Sequence, residues 1–265
     1  MRNSNKDGLA VVTGASSGIG AVYADRLAAL GHPLLLIARR ANRLEALAAQ
    51  LQNQHNIDVE TLALDLTSAD DLRTLEERLE SDNVEVLVNN AGGGGLGPLS
   101  STNGDKMEAL VRLNIVAATR LSQAALGGFR QRGKGTLINL GSIIAFWPSA
   151  TAAVYSGTKN YILNFTRSVA MEFEDTDIRI QVVMPGPVRT EFFSSQGMSD
   201  SVFPDEYYIT ADQLVDAALA GLEQGEIVTN PTMEDPKIWE DMERARANYF
   251  ASVSSGKVAS RYLST

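Results

Sequence analysis

The stretch Ala10-Val11-Val12-Thr13-Gly14-Ala15-Ser16-Ser17-Gly18-Ile19-Gly20 constrains this chain more than any other. The apolar run Leu9 to Val12 has the continuous hydrophobicity of a strand covered on both faces. Glycines follow it, and the helical spacing of Ile19, Val22, Leu27 and Leu30 begins directly behind them. A strand that turns on glycines into a helix is the opening of a βαβ unit. The glycines let backbone approach a pyrophosphate, and the free N–H groups of the helix's first turn meet its negative charge. The spacing Gly14, Gly18, Gly20 is not the commoner G-x-G-x-x-G, so an ordinary tight strand-to-helix turn is the alternative at this point.

The same residues fit G-x-S-x-G, the nucleophile elbow of serine hydrolases. That chemistry needs an acid and then a histidine further along the chain. The only histidines, His32 and His55, come too early to complete the order, so Ser16 reads better as a hydroxyl that helps hold a phosphate. The 265 residues include no cysteine, which excludes disulfides, thiolate catalysis and cysteine metal sites. Two scattered histidines argue against a zinc site. A net charge of −9 argues against broad binding to nucleic acid or anionic membranes. Met1–Asp7 lacks the apolar core of a signal peptide, and no apolar run nears membrane-spanning length, so a cytoplasmic protein is expected.

Strand and helix patterns alternate along the chain, as in a parallel sheet with helices on both faces. Strands are expected at Leu34–Ala38, Val59–Leu64, Val84–Val88, Thr136–Leu140, Ile178–Met184 and Glu226–Thr229. Helices are expected at Asn42–Leu51, Asp71–Leu79, Asp105–Leu126, Ala152–Glu174 and Ala211–Leu222, the last opened by a Thr210/Gln213 capping box. Asp235 with Pro236 opens a final helix carrying Ile238, Met242, Ala245 and Tyr249 on one stripe. No linker separates two domains. The expectation is one α/β domain: a Rossmann-type, doubly wound, mostly parallel seven-stranded sheet. Within it, residues 9–184 form the cofactor-binding core, 186–210 a substrate loop and 231–265 a C-terminal helix and tail.

Ligands of open parallel sheets bind beyond the carboxyl ends of the strands. The notable residues sit there: Asp65 after the third strand, Asn89-Asn90-Ala91-Gly92 after the fourth, Gly141-Ser142 after the fifth and Pro185-Gly186 after the sixth. Tyr155 and Lys159, four apart, share a helix face. An ammonium beside a phenol favours the phenolate, lowers its pKa from ~10 and suits it to exchange a proton with a carbonyl or alcohol oxygen. A solvated lysine beside a half-buried tyrosine makes the same pattern. Ser156-Gly157-Thr158-Lys159 also fits the S-x-x-K of penicillin-recognising enzymes. The K-T-G those enzymes need is absent, and Ser81-Asp82-Asn83 stands on the wrong side of it.

Taken together, Thr13-Gly14-x-x-x-Gly18-x-Gly20, Asn89-Asn90-Ala91-Gly92, Asn114, Ser142, Tyr155-x-x-x-Lys159 and Pro185-Gly186-x-Val188-x-Thr190 resemble the short-chain dehydrogenase/reductase family, in its order and with its usual spacing of 13 residues from Ser142 to Tyr155. The resemblance runs from about Leu9 to Thr229, and the length suits the shorter, single-domain branch. It implies that Tyr155 is the acid in reduction and the base in oxidation, that Lys159 lowers its pKa and bonds the nicotinamide ribose, and that Ser142 steadies the substrate oxygen. Asn114 would hold a proton-relaying water, or else is a satisfied core amide. Gly14, Ser16, Ser17, Gly18, Ile19 and Gly20 would hold the pyrophosphate, and Asp65 with Leu66 the adenine. Asn90, Ala91 and Gly92 would line the cofactor, with Pro185, Gly186, Val188 and Thr190 at the nicotinamide. The glycine run Gly92 to Gly95 is longer than the family pattern requires. The family's pairing of its two long central helices with a second subunit implies a homodimer or homotetramer.

Enzymes of this architecture that use NAD carry an acid at the end of the second strand for the ribose 2′-OH. Here Ala38 holds that place, and Arg39 and Arg40 follow it. A guanidinium matches a 2′-phosphate in charge and in forked geometry, so NADP(H) is the expected cofactor, with Arg39 its main contact. The expected function is NADP(H)-dependent hydride transfer to a small-molecule carbonyl or from a secondary alcohol. A cofactor-binding regulator or scaffold without turnover is the alternative. Ile143, Phe146, Trp147, Phe192 and Phe193, with Met198 and Tyr207, are placed to form an apolar substrate pocket. The segment Gly186–Thr210 sets Arg189 against Glu191, Asp200, Asp205 and Glu206, an acidic rim that favours neutral or cationic substrates.

Overall fold

A computed structural model describes residues 8–199 and 202–263; the expectations resting on Met1–Asp7 and on the charge of Asp200 lie outside the described residues. The chain alternates β1 (Leu9–Thr13), α1 (Gly18–Ala29), β2 (Leu34–Ala38), α2 (Ala41–His55), β3 (Val59–Ala63), α3 (Ala69–Ser81) and β4 (Val84–Asn89). It continues through α4 (Gly104–Val111), a π-helical turn (Arg112–Ala117), α5 (Ala118–Arg132), β5 (Lys134–Leu140), α6 (Ala153–Glu172) and β6 (Asp177–Val183). Short strands β7 (Val188–Arg189) and β8 (Ile209–Thr210) precede α7 (Ala211–Glu223), β9 (Val228–Thr229) and α8 (Lys237–Val253).

The main sheet has seven strands in the order β3-β2-β1-β4-β5-β6-β9, and every pairing in it is parallel. The fold is the doubly wound Rossmann type. The chain steps outward from β1 to β3, then returns to lay β4 on the other side of β1. That reversal opens a crevice beyond the carboxyl ends of β1 and β4.

Strand side chains alternate between two cores, as the two-residue repeat of a strand dictates. Ala10, Val12, Leu34 and Leu36 meet Tyr23 and Leu27 of α1, Leu44 and Leu51 of α2, and Leu214 of α7. Val11, Leu35, Ile37 and Leu87 meet Leu72 and Leu75 of α3, Leu121 and Phe129 of α5, and Val169 of α6. Each fully buried leucine contributes about 1.5–3 kcal/mol. The two long central helices therefore lie on one face, as expected.

Three local differences from the sequence reading have physical causes. The helix expected at Asp105–Leu126 is interrupted by the π-helical turn Arg112–Ala117 and runs on to Arg132. Gly127-Gly128 does not end it, because Phe129 is fully buried and its ring fills the space where a Cβ on Gly135 would lie. Gly133, at φ +73°, stops it instead. The Thr210/Gln213 capping box forms as expected. Asp235 Oδ1 accepts from Lys237 N at 2.9 Å, so α8 starts one residue late. The chain divides after Pro231 into two units. In the second, no residue of α8 is buried, the stripe Ile238, Met242, Ala245 and Tyr249 included. No helix among the described residues is long and apolar enough to cross a membrane.

Candidate active site

The turn after β1 is built for close approach. Gly14 and Gly18 stand at φ +67° and +55°, in the left-handed region where a side chain is strained. A Cβ on Gly20 would fall 2.4 Å from the Gly14 carbonyl oxygen. Thr13 and Asn90 lock this turn to the segment after β4. Asn90 N and Ala91 N each donate to Thr13 Oγ1 at 3.0 Å, and Asn90 Nδ2 donates to the carbonyls of Thr13 and Gly14. The Asn90 side chain therefore holds the turn together, and Ala91 and Gly92 follow it along the crevice. At Ser17, which precedes α1, no side chain caps the helix, and no acid lies in its first turn. Ser16, Ser17, Gly18 and Ile19 thus frame a helix N-terminus whose N–H groups and positive dipole end suit an anion.

The two arginines after β2 separate. Arg40 Nη2 donates to Ser16 Oγ at 3.0 Å and to Ser17 Oγ at 2.7 Å, beside the glycine turn. The charge of Arg39 acts instead on Asp65. Burial raises the Asp65 carboxyl, but hydrogen bonds from the Thr67 backbone and hydroxyl, with the Arg39 charge, outweigh it and hold it below its usual range. Leu66 is buried beside it. The arginine expected to lead at a 2′-phosphate was Arg39; the one against the serines of the turn is Arg40. Together the left-handed glycines, the uncapped helix end and Arg40 fit a phosphorylated dinucleotide.

Ser142, Tyr155 and Lys159 come together beyond the ends of β5 and β6. Ser142 is fixed by the turn it caps: its Oγ accepts from Ile144 N at 3.3 Å and donates to the Pro185 carbonyl at 3.4 Å. Tyr155 and Lys159 are both buried on α6. Burial pushes the Tyr155 phenol up to about 12, and a hydrogen bond shared with Ser142 opposes it. Burial also pushes Lys159 down to about 8. Lys159 Nζ donates to the Leu140 carbonyl at 2.7 Å and stands 5.9 Å from the centre of the Tyr155 ring, and burial outweighs the lowering of Tyr155 expected from its charge.

Asn114 sits in the π-helical turn, buried. Its Oδ1 accepts from Gly93 N at 2.9 Å, and its Nδ2 donates to the Gly93 carbonyl at 2.9 Å and to Thr158 Oγ1 at 3.0 Å. These bonds satisfy both ends of the amide. It clamps the glycine run that faces Lys159; a Cβ on Gly92 would lie 3.8 Å from Lys159 Nζ.

The segment after β6 folds over these groups. Val188 is buried, and Thr190 places its methyl against Gly18, where a Cβ would meet it at 3.0 Å. Phe192 stacks obliquely on Tyr155 with ring centres 5.7 Å apart, and Phe193 meets Phe192 edge-on at 5.2 Å. Ile143 lies beside Gly186, Phe146 is half-buried, and Trp147 is 75 % exposed. Of the expected pocket residues, then, Phe192 alone belongs to the apolar cluster around Tyr155. Leu96, Leu110, Ile144 and Val154 belong to it too and were not foreseen. Their signal in the sequence is only adjacency to the glycine run and to Ser142 and Tyr155. Gln196 was missed as well: its Nε2 donates to the Phe192 carbonyl at 2.9 Å, and its amide lies where a Cβ on Gly94 would be. The acidic rim is partly neutralised, since Glu191 pairs with Arg40 and Arg43, and Asp205 with Arg189.

A family model described as short chain dehydrogenase matches residues 8–200. A curated relative, the very-long-chain 3-oxoacyl-CoA reductase of Aspergillus clavatus, is 33% identical over 185 residues, which cover 67% of this chain; the matched stretch spans about half of that relative's length, 53%. Among solved structures, a short-chain dehydrogenase from Sphingobium yanoikuyae in complex with NADPH superposes with a TM-score of 0.92 at 37% identity, covering 96% of this chain and all of that one (100%). A bulky-bulky ketone specific alcohol dehydrogenase from Comamonas testosteroni superposes with a TM-score of 0.89 at 34% identity, covering 98% and 100%.

Proposed function

The chain belongs to the short-chain dehydrogenase family, and from that premise we propose that it is an NADP(H)-dependent oxidoreductase that interconverts a bulky, neutral ketone and its secondary alcohol. The observation that carries the reading is the meeting of Ser142, Tyr155 and Lys159 beyond the carboxyl ends of β5 and β6, with Gly92 against Lys159. The Arg40 guanidinium on Ser16 and Ser17 supports NADP(H) over NAD(H). The NADPH complex of the Sphingobium relative supports the same choice. The apolar wall of Leu96, Leu110, Ile144, Val154 and Phe192 around Tyr155 supports a substrate with large apolar groups on the carbonyl, as the Comamonas relative's specificity does.

When bound, the nicotinamide supplies the hydride. The chain's residues handle the oxygen and its proton. With its pKa at about 12, Tyr155 is a neutral phenol at physiological pH and is ready to donate as the carbonyl oxygen gains charge. Ser142, anchored by Pro185 and Ile144, holds that oxygen in line. Lys159 provides the positive charge that stabilises the phenolate left behind. Asn114 acts on this group by holding Gly93 in place. In the oxidative direction Tyr155 accepts the proton, which requires its ionised form. The protein is expected to work in the cytoplasm as a homodimer or homotetramer through the outer faces of α5 and α6; light scattering at micromolar concentration tests the assembly.

The function is tested by following NADPH and NADH consumption with a panel of ketones. Diaryl or aryl-alkyl ketones turned over with NADPH are the expected result. No turnover of any carbonyl, with NADPH bound, would leave a cofactor-binding protein instead.

A further inference from the structure

Glu191 has no part in the chemistry above, yet it lies between the arginines after β2 and the segment that covers Tyr155. Arg40 Nη1 donates to its Oε2 at 3.0 Å, and Arg43 Nη1 donates to both carboxylate oxygens at 2.8 Å. The same Arg40 reaches Ser16 and Ser17 with its other nitrogens. One guanidinium thus spans the anion-binding turn and an acid of the substrate segment. The neighbours of Glu191 in the chain are the working parts of that segment: Thr190 rests on Gly18, and Phe192 rests on Tyr155. The ion pairs are solvent-exposed, with side-chain accessibilities of 42–49%. Pairs of this kind are weak and yield to a better ligand.

We infer that Glu191 is a specificity-determining residue for the cofactor: its carboxylate competes with a nucleotide 2′-phosphate for Arg40 and Arg43, and its displacement frees the segment that carries Phe192 over Tyr155. The inference rests on the NADP(H) reading. A phosphate monoester carries about −1.5 to −2 charges and three acceptor oxygens, so it outbids a single carboxylate for two guanidinium groups. A ribose 2′-hydroxyl carries no charge and leaves the clasp shut. The phosphorylated cofactor therefore does two things that its unphosphorylated counterpart does not: it takes the arginines, and it unfastens residues 190–198 for substrate entry. Glu191 acts through Arg40 and through Phe192, as a positioning residue rather than a catalytic one.

The test compares Glu191→Gln with the parent protein at low salt. Dissociation constants for NADPH and NADH are read by fluorescence titration, and hydrogen exchange across residues 190–198 is followed with 2′,5′-ADP and with ADP as probes. Removing the competitor should tighten NADPH about threefold or more while NADH changes less than about twofold. In the parent, 2′,5′-ADP should speed exchange across 190–198 and ADP should not; in Glu191→Gln exchange should be fast without either. A parent that prefers NADPH, with a variant whose NADPH-to-NADH ratio is unchanged or lower, overturns the role of Glu191 and leaves the cofactor reading standing. A parent that binds NADH as tightly as NADPH overturns the cofactor reading itself, and this inference with it.

Discussion

Lys159 Nζ donates to the carbonyl oxygen of Leu140 at 2.7 Å, and among the described residues no carboxylate pairs with it. A buried ammonium with one neutral partner is poorly compensated, and burial lowers its pKa from 10.5 to about 8. Between those two values the folded protein binds fewer protons than the unfolded chain. Stability from this residue is therefore complete above the unfolded pKa, is lost as the pH falls toward 8, and stays lost below it. Lys159→Met, which keeps the bulk and removes the charge, should raise the Tm of the cofactor-free protein at pH 7 by a few degrees, on the order of 1–3 kcal/mol. The gain should fade as the pH is raised to about 10.5. Calorimetry of both proteins across that range decides; a variant less stable than the parent at pH 7 contradicts the account.

Tyr155→Phe removes only the phenolic oxygen from the buried cluster, so NADPH binding should survive. Turnover should fall by about 10²–10⁴-fold, the usual contribution of a positioned acid or base. In the parent, alcohol oxidation should climb as the pH rises through the alkaline range, because the base form of a phenol raised to about 12 is scarce near neutrality. Ketone reduction needs the protonated phenol and should show no such climb. A Tyr155→Phe variant with most of its kcat intact, measured beside an unchanged NADPH dissociation constant, would remove Tyr155 from the mechanism.

The two arginines after β2 make opposite predictions. Arg40 touches Ser16 and Ser17 at the glycine turn, whereas the charge of Arg39 acts on Asp65. Arg40→Ala should weaken NADPH by about tenfold or more and leave NADH nearly unchanged, as expected when a charge-assisted hydrogen bond to phosphate is lost. Arg39→Ala should have the smaller effect on that ratio. Steady-state KM values for both cofactors in both variants test the order; the reverse order returns the main contact to Arg39.

Sequence pattern made the frame legible because it carries period and punctuation. Leu34–Ala38 is apolar throughout, Thr210 and Gln213 spell a cap, and Tyr155 and Lys159 are one helical turn apart. What escaped depends on partners far away in the chain. The π-helical turn leaves no mark on the apolar spacing of residues 105–126; it is tied to Asn114, whose partners Gly93 and Thr158 lie 21 and 44 residues away. Arg39 and Arg40 stand side by side between β2 and α2 and look alike in sequence; that Arg40 meets Ser16 and Ser17 is visible only in the fold. The apolar wall at Leu96, Leu110 and Val154 is assembled from three segments, none periodic enough to announce its direction.

Gly94 explains part of the long glycine run and gives the sharpest test of how Phe192 is held. Its φ is not in the left-handed region, so alanine is acceptable to the backbone. The obstacle is spatial: a Cβ there would lie 2.3 Å from Gln196 Oε1 and 2.5 Å from its Nε2. The obstructing atoms are the far end of a flexible side chain, so the fold should survive Gly94→Ala with a change within about 1 kcal/mol. Gln196 must swing away, and its 2.9 Å bond to the Phe192 carbonyl breaks with it. Phe192 then loses its tether above Tyr155. The KM for a bulky ketone should change several-fold, with kcat and NADPH affinity little altered, because neither Ser142, Lys159 nor the glycine turn is touched. A double-mutant cycle isolates the cause. Gln196→Ala removes both the tether and the clash, so adding Gly94→Ala to it should do nothing further. Additive effects of the two changes would mean that Gly94 acts on the substrate directly rather than through Gln196.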